Sequence, residues 1–507
     1  MRKWTPLLAV CMGTFMLLID ITIVNVALPD ITSDLQADFS HVQWVIDSYA
    51  LSLAALLLGA GGLADAIGRR RVYVAGLTIF AAASVACGLA QDVDTLIAGR
   101  AVQGIGGAAM FATTVALINV SYEGRDRATA FGLWGAVSGA GAGAGLVIGG
   151  ILTDLLSWRW AFWVNLPVSV LAVVLTLMVF TETARRRVRL DVPGMLTFTA
   201  AAALVTYAII EAGEQGWTAR VPVLTALGGL LALALFVVLQ RRSENPLIDL
   251  GLLARPVFAG AVLAAAVLSC AAFGSSVLIS IWLQSVVDLS PLTAGLALLP
   301  LSLVSFAVSG GLSSRLHHVP VARPIGAGLF LIGCGSLLML LVQPGSSWTA
   351  LLPGLLVVGL GVGLAAPPLT SAALSSVPLQ RSGMASGVLN TSRQLGTAFG
   401  VAILGSVFTS LAADTLADNK VPAASDVASA VSGGQTHTVI QAVPAGQQAQ
   451  VEQAIHEAFA SGLHGAFLVA GLVGIVGAAI AFALLRKGPT AEEPEPTVGP
   501  TAQSEPA

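Results

Sequence analysis

Residues 61–71 read GGLADAIGRRR and lie between two long apolar segments. Glycine at positions 61 and 68 permits tight turns and close contacts between helices. The carboxylate of Asp65 can accept hydrogen bonds from the N-terminus of a neighbouring helix and can pair with an arginine. The arginines that follow are typical of a cytoplasmic loop between two membrane spans, and a merely basic loop is the simpler interpretation of this stretch.

The composition outside this stretch is that of a membrane protein. The chain has 507 residues, of which 56% are hydrophobic and 10% are charged, whereas soluble domains carry about 25% charged residues. Its mean hydropathy is +0.86. Long apolar runs rich in Ala, Leu, Val and Gly favour close-packed helices, because a membrane barrel would show short alternating strands. The fold class expected is therefore an all-α polytopic membrane protein.

The apolar runs give a count of the spans, each of which needs roughly 20 apolar residues. We predict fourteen transmembrane helices. Their ranges are 5–28, 43–63, 73–91, 95–120, 129–153, 161–181, 194–212, 222–240, 257–281, 292–312, 324–343, 349–373, 383–410 and 462–485.

The basic residues orient these spans. Of the 24 lysines and arginines, Arg100 and Arg393 fall within spans, and Arg159, Arg220 and Lys420 fall on one face. The others lie at the two termini or in the loops that follow even-numbered spans. Basic residues accumulate on the cytoplasmic side, so both termini are predicted to be cytoplasmic. One missed span would reverse every later loop, and the pattern therefore supports the count.

The loops divide the chain into parts. Residues 1–183 are predicted to form a six-helix bundle, 184–250 to add two helices with linkers, and 251–487 to form a second six-helix bundle. Within the last part, 411–461 is expected to be a long extracytoplasmic loop. Residues 488–507 are rich in Pro and Glu and are expected to form a disordered cytoplasmic tail.

The stretch 61–71 resembles the loop motif of the major facilitator superfamily, Gly-x-Leu-x-Asp-x-x-Gly-Arg-Lys/Arg. That resemblance implies the major facilitator fold, with two six-helix bundles and here two inserted helices. In the family this motif is a gate latch that holds the outward-open state. The residues that match it are Gly61, Asp65, Gly68, Arg69 and Arg70.

Three other stretches narrow the resemblance. Residues 20–29 resemble the first-helix signature of drug:proton antiporters, and 100–107 resemble the fourth-helix motif built on a membrane arginine. Residues 135–150 resemble the fifth-helix antiporter motif, although Leu146 stands where the family usually has proline, which weakens the expectation of a kink. Glycines leave this helix deformable. The residues that carry this antiporter helix motif are Gly139, Gly143, Gly145, Gly149 and Gly150.

Residues 158–167, 282–295 and 389–396 point further, to the fourteen-helix drug:proton antiporter subfamily, whose members are multidrug and antibiotic resistance exporters. The resemblance covers about residues 5–485. It implies a bacterial inner-membrane protein that exchanges a substrate for protons and needs no cofactor. It leaves the identity of the substrate open.

Charged residues within spans are the candidate coupling residues, because a charge at the centre of an isolated span costs at least about 2.5–3.5 kcal/mol on insertion scales. Asp20 in the first span is predicted to face the central cavity and to bind a proton or a cationic substrate. A structural ion pair with Arg100 is the alternative. Arg100 acts as a fixed charge because arginine does not lose its proton in proteins, and the family ties this arginine to proton coupling.

Asp47 in the second span is a further candidate for proton or substrate coupling. The family usually has an uncharged residue here, so no role is carried over. A second carboxylate would favour strongly basic substrates, and an interfacial acid solvated at the outer rim is the alternative. Arg393 is expected either to polarise the second half of the cavity or to cap helix carbonyls.

Polar and aromatic residues of the resembling stretches complete the set of cavity candidates. Trp282 is equally expected in an interfacial aromatic belt. The cavity candidates are Asn25, Gln103, Trp282, Gln284, Asn390 and Arg393.

These observations predict a proton-coupled antiporter that exports amphipathic, cationic drugs or antibiotics. A dedicated exporter of one endogenous secondary metabolite or lipid-like compound is the alternative. An ATP-driven motor is not indicated, since no Gly-x-x-x-x-Gly-Lys-Ser/Thr pattern occurs. An enzyme would need clustered His, Asp or Cys, and the six histidines are scattered. The expected partners are a small amphipathic substrate, protons and the lipid bilayer, without nucleic acid, and the protein is expected to act as a monomer.

Overall fold

The computed structural model describes residues 2–182, 191–243, 246–312, 319–377 and 382–486, and its regular structure there is helical throughout. The helices of the first part are α1 (Thr5–Leu35), α2 (Phe39–Ile67), α3 (Arg69–Gly88), α4 (Val93–Ser121), α5 (Gly124–Leu155), α6 (Trp160–Trp163) and α7 (Asn165–Val179). The middle part contains α8 (Val192–Gln215) and α9 (Arg220–Arg242). The last part contains α10 (Leu250–Leu253), α11 (Pro256–Phe273), α12 (Ser276–Ser285), α13 (Pro291–Leu312), α14 (Ala322–Leu338), α15 (Leu352–Ser375), α16 (Ser382–Asp418), α17 (Ala424–Ser432), α18 (Thr436–Ala442) and α19 (Gln448–Leu485).

Most of these helices suit a membrane. Among the described residues, 13 helical segments are long and apolar enough to cross a bilayer. Helix α5 contributes a shorter apolar segment, Gly143–Leu155, which is not counted among the 13. Backbone groups must be satisfied within the helix in lipid, which explains why uninterrupted helices dominate. The chain is thus an all-helical protein with many membrane-spanning helices.

Several predicted boundaries differ from the structure. The predicted span 257–281 is two helices, α11 and α12, separated at Gly274 and Ser275. A side chain at Gly274 would meet the backbone of Gly400 at 2.8 Å, so glycine allows α11 and α16 to touch where the first helix ends. The last two predicted spans are too short, because α16 and α19 continue well beyond the apolar core of each span.

Most of the segment 411–461, which was predicted to be a loop, is helical. The end of α16, the short helices α17 and α18, and the start of α19 occupy most of it. Its Ala-rich sequence favours helix even though its polar residues suggested a loop. The predicted tail 488–507 and the basic run 185–189 lie outside the described residues.

Helices pack in two groups with a seam between them. In the first group α4 packs on α2 and α3, and α1 packs on α5 and α7. In the second group α14 packs on α15 and α19, and α11 and α19 pack on α16. The groups meet where α2 runs along α16, where α5 runs along α13, and where α1 meets α12.

The molecule has two distinct ends. We call the end with the 61–71 turn the motif end and the end with the α1–α2 connection at 36–38 the cap end. Along α5 and α13, close contacts run from Gly143 beside Ser302 to Gly150 beside Leu292, all toward the cap end. Positions nearer the motif end, such as Gly132 and Gly310, have open space beside them. The two groups are therefore pressed together at the cap end and separated along α5 and α13 toward the motif end.

A short segment covers the cap end, and we call α17 and α18, residues 424–442, the cap. The amide of Gln435 donates to the carbonyl of Ala37 at 2.7 Å, in the first group. The hydroxyl of Ser285 donates to the carbonyl of Gly434 at 3.2 Å, and His437 contacts Asp288 at 3.0 Å. Ser285 is the last residue of α12 and Asp288 follows that helix, in the second group. The cap thus bonds to both groups.

Helices α8 and α9 form a hairpin on the outside of the α2–α16 seam. Helix α8 contacts α2 and α16, while α9 packs on α8 and exposes leucines such as Leu227 and Leu231. The hairpin base is held by Gln240, whose amide donates to Asp191 at 2.5 Å and accepts from the backbone N–H of Ile248 at 3.1 Å. Exposed leucine on α9 is expected for a lipid-facing surface.

Candidate substrate and proton site

Asp20 and Arg100 form a buried ion pair inside the first group of helices. Asp20 lies in the middle of α1 and Arg100 one to two turns into α4. The guanidinium Nη1 of Arg100 lies 2.5 Å from Oδ2 of Asp20, and the two side chains are 2% and 0% exposed. Asp20 therefore contacts Arg100 rather than an open cavity in this conformation, which is the geometry that the ion-pair alternative describes.

Neighbouring amides complete the coordination of Asp20. Its second oxygen, Oδ1, accepts from Asn165 at 2.9 Å and from Gln103 at 3.2 Å. Gln103 also accepts from Arg100 at 3.0 Å and donates to Ser84 at 2.7 Å. Asp20 and Arg100 are thus joined by side chains from α3, α4 and α7. A buried charge is tolerated when it is paired and hydrogen-bonded in this way.

The arginine is held on its other sides by backbone and aromatic groups. Its Nε donates to the carbonyl of Val45 in α2 at 3.1 Å. The guanidinium carbon lies 4.3 Å from the ring centroid of Tyr49 and 5.9 Å from that of Phe162. Aromatic faces attract cations most strongly where water is excluded. A change in the charge of Asp20 would consequently alter contacts made by five other helices of the first group, α2, α3, α4, α6 and α7.

Asp47 is another buried carboxylate of the first group and has a different environment. It is 0% exposed, and neither of its oxygens has a hydrogen-bond partner among the described residues. The prediction of a solvated acid at the rim is therefore wrong for this conformation, because α16 and α8 cover this face of α2. An unpartnered buried carboxylate is costly when ionised.

The contact between α1 and α12 contains two of the predicted cavity residues, Asn25 and Gln284. The amide of Asn25 donates to Ser276 at 3.4 Å, and the amide of Gln284 donates to the carbonyl of Val26 at 2.9 Å. Trp282 is 3% exposed and belongs to the apolar core. Asn25 and Gln284 join the two groups near the cap end, and Trp282 does not form an interfacial belt.

Arg393 lies alone in the second group. Its Nη2 donates to the hydroxyl of Thr370 in α15 at 3.0 Å, and no carboxylate pairs with it among the described residues. On α16 it shares a face with Asn390 and Thr397, which lies opposite the face that packs on α8. Asn390 itself donates to the carbonyl of Ser386 at 3.0 Å. The polar face of α16 is thus turned toward the middle of the molecule.

The gate motif lies against the end of α7. Gly68 has φ of +113°, a conformation that favours glycine, and it both ends α2 and precedes α3. The guanidinium of Arg70 donates to the carbonyl of Leu177 at 2.9 Å, and Arg71 lies 3.5 Å from Glu182. Gly61 has open space beside it, Arg69 lies in the first turn of α3, and the side chain of Asp65 lies outside the described part.

The glycines of α5 allow two close approaches rather than a kink. Helix α5 is continuous from Gly124 to Leu155. A side chain at Gly145 or Gly149 would meet α1, at Thr22 or Ile23, and one at Gly150 would lie 2.6 Å from Leu292 of α13. Gly143 faces Ser302 of α13, and the surroundings of Gly139 lie outside the described part. Small residues at such interfaces let helix backbones approach closely in membranes.

Sequence reasoning missed several members of the site. Asn165 and Tyr49 contact the Asp20–Arg100 pair, and Ser84 accepts hydrogen bonds from Gln103 and Asn165 beside it; none of the three was predicted as a site residue. Asn165 belongs to the resembling stretch 158–167, which was the available signal. Ser84 lies in an ordinary apolar helix and gave none, because its hydrogen bonds to Gln103 and Asn165, 19 and 81 positions away, are not visible in one sequence.

Known proteins resemble this chain over most of its length. The family model described as Major Facilitator Superfamily matches residues 10–401. The multidrug resistance protein Stp of Mycobacterium tuberculosis is 38% identical over 412 residues, which is 81% of this chain and 76% of that protein. The puromycin resistance protein pur8 of Streptomyces alboniger is 37% identical over 85% of this chain and 87% of its own. The tetracenomycin C resistance and export protein of Streptomyces glaucescens is 30% identical over 97% and 94%.

Solved structures share the fold. A bacterial homolog of the human lysosomal transporter Spinster, in an inward-facing and unoccupied conformation, superposes with a TM-score of 0.67 at 17% identity, covering 96% of this chain and 97% of that one. A peptide transporter in complex with sulfate gives a TM-score of 0.62 at 16% identity over 94% and 95%. At these identities the likeness concerns the fold.

Family, relatives and spans together settle the class of protein. The relatives are transporters and not enzymes, and the membrane-spanning helices make this chain a multi-pass protein of the bacterial inner membrane. The match over most of the chain and the identity to its relatives show that the protein belongs to the major facilitator superfamily.

Proposed function

We propose that this protein is a proton-coupled antiporter that exports amphipathic, cationic drugs or antibiotics across the inner membrane. The observation that carries the proposal is the buried Asp20–Arg100 pair in the membrane-spanning part of the first group. Relatives named for multidrug and puromycin resistance support export of such compounds. In this proposal the chain crosses the membrane fourteen times with both termini in the cytoplasm, as two six-helix bundles around two inserted helices.

The pair offers a simple coupling step. A proton that binds Asp20 removes the negative partner of Arg100, whose charge is fixed. Arg100 must then find new partners, and the backbone of Val45 and the ring of Tyr49 are already in contact with it. This repacking links the protonation of α1 to a movement of α2 and α4. A cationic substrate competes for the same carboxylate once the site opens.

Energy from the proton gradient is sufficient for export. A membrane potential of 100 mV is worth about 2.3 kcal/mol for each charge moved, and one pH unit adds about 1.4 kcal/mol. One or two protons per cycle therefore sustain a substrate gradient of several hundredfold or more. No cofactor is needed in this scheme, and a monomer is sufficient.

The proposed orientation assigns each end of the molecule to one side of the membrane. With cytoplasmic termini, the motif end faces the cytoplasm and the cap end faces outward. The separation of the groups at Gly132 and Gly310, with close contact at Gly150, then corresponds to an inward-facing state. Polar groups of α16, Asn390 and Arg393, line the second half of the substrate path in this proposal. Asn25, Trp282 and Gln284 close its outer end.

Ethidium efflux tests the proposal. Energised cells or inverted membranes that express the protein should export ethidium, and a protonophore should stop the export. Asp20→Asn should abolish coupled efflux while the protein remains inserted. Proton-driven efflux that persists in this variant would contradict the role of Asp20.

A dedicated exporter of one metabolite is the second candidate. One relative that spans nearly the same length is named for resistance to and export of a single compound, tetracenomycin C. Absence of ethidium efflux from a well-inserted protein, together with export of one endogenous compound, would favour this candidate.

A further inference from the structure

Asp47 sits at the junction of α2, α8 and α16. One turn toward the motif end, Ala50 and Leu51 of α2, Ala202 of α8 and Ala398 of α16 form one apolar cluster. One turn toward the cap end, the amide of Gln43 donates to the carbonyl of Val401 in α16 at 3.1 Å. Asp47 lies between these contacts on the same face of α2, so its carboxylate is placed against α16 and α8.

Unpartnered hydroxyls lie along the same junction. Thr206 is one turn from Ala202 on α8, in the direction of the cap end, and is 0% exposed. Ser406 on α16 is 2% exposed, and Gly213 of α8 packs against it. Thr409 follows one turn later. The side-chain oxygens of all three, like those of Asp47, lack a hydrogen-bond partner among the described residues.

This row of polar groups ends at a cavity. A cavity of about 480 Å³ opens at the cap end and is lined by Thr409, Gly213, Asp38, His41 and Asp426, among others. The opposite end of the row is closed by the apolar cluster of Ala50, Leu51, Ala202 and Ala398. Water and protons that reach Asp47 along this seam therefore come from the cap end.

Few charged groups face Asp47 from the helices around it. On the α4 side, Arg100 reaches the carbonyl of Val45 but is paired with Asp20. Helix α8 contributes Tyr207 and Glu211 toward the cap end. Along α16, the charged residues are Arg393, on the opposite face, and Asp414 and Asp418 near its end. On α2 itself, His41 lies nearly two turns away, toward the cavity.

From this geometry we infer that Asp47 is an outer proton site whose protonation closes the cap end of the α2–α16 seam. An ionised carboxylate without partners is unstable in this buried position, whereas a protonated one is tolerated. When Asp47 loses its proton to water, the seam must part and hydrate along Thr206, Ser406 and Thr409. The site is separate from the Asp20–Arg100 pair.

This inference gives the inserted hairpin a role. Helix α8 supplies one wall of the seam through Thr206 and Gly213, so the two additional helices shield a proton path from lipid. It rests on the proposed function for the orientation of the cap end. In the exchange cycle, a proton bound at Asp47 from outside would favour the inward-facing state, which is the state in which the cytoplasmic substrate binds.

Thiol labelling tests the seam without any transport. The four native cysteines are first replaced by alanine, and Ser406→Cys is then introduced in reconstituted full-length protein. Reaction with a membrane-impermeant maleimide from the cap side is measured between pH 5.5 and 8. Ser425→Cys, at an exposed position of the cap, corrects for the pH dependence of the thiol itself.

We expect the corrected labelling rate of Ser406→Cys to rise with pH, by up to about tenfold for each unit, as for one titrating group. In the Asp47→Asn background the rate should be low at every pH, because the neutral amide imitates the protonated acid. Asp47→Glu should retain the pH dependence, which guards against a folding defect. Equal pH dependence with Asp47→Asn would overturn the inference.

A second pair of variants tests whether α8 forms one wall of the α2–α16 seam. Thr206→Val should reduce labelling of Ser406→Cys at pH 8, since it removes a hydroxyl from the path. Thr176→Val is the matched control, because Thr176 is equally buried and its hydroxyl also lacks a partner within the described part of the chain, but it lies in α7, away from the seam. Equal effects of the two variants would contradict the path. These assays need neither substrate nor gradient, so their failure is distinguishable from failure of ethidium efflux.

Discussion

Two buried carboxylates of the first group, among the side chains that the structure describes, differ in almost everything except burial. Asp20 and Asp47 are each 0% exposed. Asp20 has an arginine and two amides as partners, whereas Asp47 has none among the described residues. The difference follows from the neighbouring helices, since α4 and α7 bring polar side chains to α1 while α8 and α16 bring mainly alanine and hydroxyls to α2.

The comparison shows that burial alone does not determine the role of a carboxylate within the membrane. A fully partnered carboxylate stabilises its surroundings while it is ionised, and it can act as a switch because loss of its charge disturbs many contacts. An unpartnered carboxylate is stable when neutral, and it acts through the cost of its charge. The two acids should therefore respond to substitution in opposite directions.

The largest effect is expected from Arg100→Leu. Removing one partner of a buried ion pair leaves the other charge uncompensated and costs about 3–5 kcal/mol. We expect a large drop in the thermal unfolding temperature of the detergent-solubilised protein and loss of efflux. Asp20→Asn combined with Arg100→Leu should recover part of the stability, and a double variant no more stable than Arg100→Leu would break the comparison.

The next largest effect is expected from a substitution that disturbs packing at the cap end. It changes no charge and therefore tests steric effects alone. Gly150→Leu introduces a side chain where a Cβ would lie 2.6 Å from Leu292, and overpacking of this kind costs about 1–3 kcal/mol. Efflux should fall because α5 and α13 no longer close. Gly132→Leu, at a position with open space, is the steric control and should leave the thermal unfolding temperature unchanged, whereas Gly150→Leu should lower it.

Asp47→Leu and Asp20→Leu are expected to change the thermal unfolding temperature in different directions. An unsatisfied buried polar group costs about 1–3 kcal/mol, and its replacement by an apolar side chain removes that cost. The thermal unfolding temperature should stay the same or rise, whereas Asp20→Leu should lower it. A loss of stability of similar size in both variants would show that Asp47 has a partner equivalent to Arg100.

The smallest effect is expected at an exposed pair. Arg159 and Asp34 approach to 2.6 Å, but their side chains are 28% and 47% exposed. Exposed pairs contribute about 0.2–1 kcal/mol and are weakened by salt. Asp34→Asn should change the unfolding temperature only slightly, and less at high salt. A change as large as that of Arg100→Leu would mean that exposure does not separate the two kinds of pair.

Much of the fold could be predicted because hydropathy and basic residues act locally. The long apolar runs correspond to helices, and the charges predicted within spans at Asp20 and Arg100 form a buried pair. The break at Gly274, the length of α16 and the helices of the cap could not be predicted, because they depend on contacts with distant helices. The burial of Asp47 was missed for the same reason, since only the position of α8 against α16 covers it.

The cap has a practical consequence. Through Gln435 and Gly434 it bonds to both groups of helices, and in the proposed orientation it lies on the outer face of the inner membrane. An antibody fragment or macrocycle that held the cap against Asp288 would lock the exit without crossing the membrane. Such an inhibitor would never enter the cytoplasm, and the pump could not expel the compound that blocks it.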